Sequence, residues 1–155
     1  MENNENAIDA LNDLVQINND RIKGYKKAIE DTQEEDQDYD SLFENMIEQS
    51  IEYKHELIEE INQLGGEADE DETTNSGKVY RAWMDVKSAF QGHSKKSALE
   101  LCEFGEDAAQ KAYEDALSTD DLPISSRQLL TSQKSKLKES HDIIKQQRDL
   151  QKVNS

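Results

Sequence analysis

A single cysteine, a single proline and six glycines among 155 residues exclude several architectures at the outset. One thiol, Cys102, supports neither an internal disulfide framework nor a cysteine-rich metal site. Beside Leu101 and ahead of an Ala-rich run it reads as a core thiol. So little Pro and Gly suits long helices and suits sheets poorly. Aromatics make up only 6% of the chain. No window approaches the roughly 18 consecutive apolar residues of a membrane span. The start, MENNENAIDALNDLV, lacks a basic region followed by an apolar run, so no secretory leader is expected and a cytoplasmic location follows. Basic charge is also scarce. Eighteen Lys and Arg face 35 Asp and Glu, a net charge of -17, which repels phosphate and anionic lipid. Neither nucleic acid nor a membrane surface is therefore expected as a partner, and solubility is the plain role of the charge.

What the chain does have is apolar residues at three- and four-residue steps, the period of amphipathic helices. Four long segments carry it. The first covers about 6–32, with Ile8, Leu11, Leu14, Val15, Ile22, Tyr25 and Ile29; the second covers about 38–64, with Leu42, Phe43, Met46, Tyr53, Leu57, Ile61 and Leu64. The short acidic turn between them predicts an antiparallel pair, and Gly65-Gly66 stops the second. The third covers about 94–118, where small residues (Ala98, Gly105, Ala108, Ala109, Ala112, Ala116) permit close approach by a neighbour. The fourth starts near Pro123, a first-turn residue, and runs to about 150 with Leu130, Leu137 and Ile144 inward.

Between the hairpins lies a long connection, residues 65–93. Its second part, SGKVYRAWMDVKSAF, places Val79, Trp83, Val86 and Phe90 on one face. This predicts a short fifth helix over about 77–90, N-capped by Asn75 or Ser76, lying against the bundle. Residues 1–155 thus form one domain. The fold class is all-α: two hairpins joined by a long crossover, the connectivity of a ferritin-like four-helix bundle. Three stretches, LNDLVQINNDRIKGYKKAIED, SGKVYRAWMDVKSAF and CEFGEDAAQKAYEDAL, resemble a bacterial family of ferritin-like four-helix-bundle proteins classed as a domain of unknown function. The resemblance covers nearly the whole chain. It implies that fold and a bacterial cytosolic protein, and carries no activity with it.

A ferritin-like bundle invites a metal question, and Glu52-Tyr53-Lys54-His55 has the right spacing. A di-iron site takes a Glu from each of two helices and a Glu-x-x-His from each of the other two, all inward. At 100° per residue, Glu52 points about 160° and His55 about 140° from the centre of the apolar stripe, so both face water while Tyr53 faces in. In the first helix Asp13, Asp20 and Glu30 all project outward, and Asn18 takes the centre of the stripe. In the third, Glu106 falls within the apolar arc. In the fourth, His141 sits on the apolar flank, but three residues before it stands Lys138. Only Glu106 and His141 remain as metal-ligand candidates, on levels that differ by roughly 9 Å along the axis.

The inward polar residues read better as a structural network. Asn18, Ser50, Tyr53, Gln133 and Ser140 lie near stripe centres and must find hydrogen-bond partners. Asn18 should sit near Ser50 and Tyr53 across the first hairpin, and Arg21 should neutralise Glu106. Ser76-Gly77-Lys78 lacks the earlier Gly of a phosphate loop. The acidic runs at 30–40 and 67–72 lack a calcium-loop pattern, and His93, after Gly92, is expected in an exposed loop. Trp83 and Phe90 are expected to pack on the bundle in preference to anchoring a partner. No complete catalytic constellation is present. The chain is expected to be a non-enzymatic structural or interaction module, of the kind that also serves in stress, working with a protein partner or as a homodimer and without a cofactor. The alternative is a metal-binding di-iron-type redox or iron-handling protein, with iron or manganese in a degenerate site built on Glu106 and His141.

Overall fold

A computed structural model describes residues 4–32, 39–68 and 95–154. Four helices make up these residues, with no strand among them: α1 Glu5–Thr32, α2 Asp40–Gln63, α3 Lys95–Leu117 and α4 Ile124–Asn154. The expected boundaries hold within a few residues. α4 departs most, because nothing in its polar C-terminal sequence stops it near 150. At its other end Pro123 stands just outside the helix, and its carbonyl accepts the Arg127 amide at 2.9 Å. The short helix over 77–90, its caps, Ser76-Gly77-Lys78 and His93 lie outside the described residues.

Each helix buries its apolar stripe. Leu11, Leu14, Tyr25, Phe43, Leu57, Ile61, Leu99, Tyr113, Leu130, Leu137 and Ile144 are all fully enclosed, each such side chain contributing about 1.5–3 kcal/mol. Side-chain bonds set the directions. Asn18 meets Tyr113, whereas Arg21 and Tyr25 meet Glu106, so α1 and α3 are antiparallel. Glu60 meets Ser126, and Gln49 meets Ser140, so α2 and α4 are antiparallel too. Both sequential pairs are also antiparallel, and α1 therefore runs parallel to α4 across the diagonal. The end of α2 and the start of α3 then lie at opposite ends of the bundle. Only a connection as long as residues 65–94 joins them. The four-helix bundle expected from the long crossover is what forms.

α1 and α3 come close over much of their length, and on α3 the small residues Gly105, Ala109 and Ala116 are buried. α2 ends in a Schellman arrangement: the Gly66 amide bonds Ile61 O at 3.0 Å, and the Gly65 amide bonds Asn62 O at 3.1 Å. Gly65 holds φ +86°, a left-handed conformation that strains any residue with a Cβ. Gly65→Ala should accordingly lower unfolding free energy by about 1 kcal/mol. Urea denaturation followed by helical circular dichroism measures this, and an unchanged midpoint would count against the cap.

Candidate functional site

The bundle centre is polar. Arg21 is 0% exposed, and all its bonds stay inside. Its Nε and Nη2 donate to Glu106 Oε1 at 3.0 and 2.5 Å, its Nη1 to Ser50 Oγ at 2.7 Å and its Nη2 to Gln49 Oε1 at 3.2 Å. Glu106, also 0% exposed, receives a third bond on Oε1 from the Tyr25 hydroxyl. Its Oε2 has no hydrogen-bond partner among the described residues. The guanidinium also lies 5.6 Å from the Tyr25 ring centroid, within cation–π range. Tyr25 in turn packs against Phe43, with ring centroids 5.7 Å apart.

From this pair the network spreads through every helix. Ser50 donates to Met46 O, Gln49 Nε2 donates to the Tyr53 hydroxyl, and Ser140 on α4 donates to Gln49 Oε1 at 3.1 Å. A second branch starts at Asn18, whose Nδ2 donates to the Tyr113 hydroxyl at 3.0 Å. Tyr113 donates onward to Gln133 Oε1 at 2.6 Å, and Gln133 Nε2 to Glu56 Oε1 at 2.9 Å. Near the end of the bundle, Ser125 and Ser126 both donate to Glu60 Oε2, at 2.8 and 2.6 Å.

Burial and the Glu106 charge push the Tyr25 hydroxyl well above its ordinary value. Burial first, and then Glu106, likewise push up the Cys102 thiol. Burial alone works against the Arg21 charge, but Glu106, Tyr25 and Tyr113 more than offset it and the pKa is raised. The Tyr25 phenol and the Cys102 thiol are thus held neutral, and the Arg21 guanidinium is held charged. Neither the Cys102 thiolate nor the Tyr25 phenolate is favoured at neutral pH.

Asn18, Ser50, Tyr53, Gln133 and Ser140 are all buried and all belong to this network. Asn18 turns to Tyr113 on α3, however, and not to Ser50 and Tyr53 across the hairpin, because Arg21 occupies Ser50. Glu106 and His141 are not brought together. Glu106 faces Arg21 inside the bundle, whereas His141 has Nε2 2.6 Å from Asp107 Oδ1 and Nδ1 3.2 Å from Asp142 Oδ1 at the surface. His141 and then Lys138 hold the Asp142 carboxyl below its ordinary value. Glu52 and His55 are exposed and Tyr53 is buried, as their helical directions require. Among the described residues, no group of three or more His, Cys, Asp or Glu is placed to hold a metal ion. No helix among them is long and apolar enough to cross a membrane.

One direction needs correction. Asp13 and Glu30 are exposed, but Asp20 is 0% exposed. Burial runs unbroken from Leu14 to Arg21, so α1 is enclosed on the side away from its stripe as well, which a wheel drawn from one stripe does not reveal. The roles of Tyr25, Gln49, Glu60 and Tyr113 escape an apolar-period reading. The signal for the two tyrosines was the phenol itself, since a buried hydroxyl needs a partner.

Residues 6–119 match the family described as a domain of unknown function (DUF2383). The match spans Asn18, Arg21, Tyr25, Ser50 and Glu106 and ends before α4. No curated protein matches the chain, and no solved structure does.

Proposed function

The chain belongs to the DUF2383 family, and from that premise we propose that it is a ferritin-like bundle without catalytic activity, serving in the bacterial cytosol as a structural or interaction module. The observation that carries this reading is Arg21, a fully enclosed cation hydrogen-bonded to Glu106 at the centre of the bundle. A di-iron bundle places metal cations at its centre and surrounds them with inward carboxylates and histidines. Here a guanidinium supplies the positive charge and uses the one inward carboxylate of α3. A metal ion beside Arg21 would meet like charge in a site with few anionic ligands. The residues present do not fit a di-iron centre, and no redox step is derived through one.

The same reading extends to partners. A surface carrying most of a -17 net charge disfavours nucleic acid and anionic membranes, leaving another protein or a second copy of the chain as the natural partner. The test is metal content. Protein purified without a tag, after growth with added iron and manganese, should contain far less than one metal ion per chain by elemental analysis. Near-stoichiometric metal that disappears in Glu106→Ala would replace this reading with a metal-handling one.

A further inference from the structure

The four sides of the bundle are closed by different means. α1 packs closely on α2, α3 on α4 and α1 on α3, whereas α2 and α4 approach at few backbone positions. Among the described residues, a row of polar side chains bonds across the wider gap. Glu60 takes the Ser125 and Ser126 hydroxyls, Gln133 reaches Glu56 and the Tyr53 carbonyl, and Gln49 takes the Ser140 hydroxyl. The α1–α3 side also carries polar contacts, Asn18 to Tyr113 and both Arg21 and Tyr25 to Glu106, but there the backbones run close together over much of their length.

Separating a polar row costs less than separating apolar surfaces, because water replaces the broken hydrogen bonds while exposed apolar area has no such compensation. Local opening follows the weakest seam of a structure. Gln49 adds a consequence, since its Oε1 accepts both from Ser140 on the seam and from Arg21 at the centre. The seam is one side chain away from the buried ion pair. We propose that the α2–α4 seam is the line along which the bundle opens, giving water and small polar solutes a route past Gln49 to the Arg21–Glu106 centre.

Thiol labelling tests this. Ser140→Cys places a near-isosteric probe on the seam, and Ser50→Cys places one on the α1–α2 side, both in a Cys102→Ala background. Cys102 in the unaltered chain, buried beside Tyr25, reports the α1–α3 side. Each native labelling rate is divided by that of the same chain unfolded in urea, which removes differences in thiol acidity. The Ser140→Cys site should then react about tenfold or more faster than the other two, with a shallow urea dependence. Gln133→Cys, a second seam probe, should follow it even if one substitution disturbs folding. Equal normalised rates at all sites, or seam labelling that carries the full urea dependence of global unfolding, would overturn the proposal.

Discussion

Arg21→Met should cost about 3–5 kcal/mol of unfolding free energy, because it leaves the Glu106 carboxylate buried without its counter-charge. Against a total of about 5–15 kcal/mol for a domain of this size, that loss removes about a third to a half of a mid-range stability and, at the low end of the range, leaves folded and unfolded chains comparably populated. The wild-type pair need not itself be strongly stabilising. Both charges have lost their water, and Glu106 Oε2 and Asn18 Oδ1 find no partner among the described residues. Replacing the whole cluster with apolar side chains of similar size, as Arg21→Met with Tyr25→Phe and Glu106→Leu, should therefore recover most of the lost stability or exceed the original. Ser50 keeps its bond to Met46 O and Gln49 keeps Tyr53 and Ser140 in that variant, so few new orphans appear. Urea denaturation of the single and triple variants checks this. A single substitution costing under about 1 kcal/mol, or a triple variant no better than the single, would show that the charges are not what holds the centre.

The second large effect is alkaline unfolding. Tyr25 and Tyr113 are pushed well above the ordinary phenol value by burial, to which Glu106 adds for Tyr25, and burial pushes Tyr53 up to about 12. A phenol with a raised folded-state pKa binds its proton more tightly folded than unfolded. Its stability contribution is complete below the unfolded value near 10 and is lost as pH rises through the folded value. Each unit of difference is worth about 1.4 kcal/mol per group, and the three shifts act in the same direction. The fold should hold up to about pH 10 and then unfold cooperatively toward 12. Phenolate absorbance from three of the five tyrosines should arrive only together with loss of helical circular dichroism. Ionisation of all five near pH 10 with helix intact would contradict the buried assignments.

Much of this was legible along the chain. The inward direction of Glu106 followed from its helical phase, and its neutralisation by Arg21 followed from the rule that a buried charge finds a partner. The exposure of Glu52 and His55 followed in the same way. What escaped was pairing between residues far apart in sequence. Asn18 chose Tyr113 over the nearer Ser50, Gln133 reached Glu56, and Glu60 met Ser126. Asp20 was misplaced because helical phase reports only the direction of one stripe.

The sequence by itself determined that this is an acidic all-helical chain of two hairpins separated by one long connection, since periodicity, the Gly65-Gly66 stop and segment length are local properties. Tertiary structure alone decided which further polar side chains join Arg21 and Glu106 at the centre, and how unequally the four sides close. Those outcomes depend on helix register and interhelical distance, which arise from packing four helices together and are written in none of them singly.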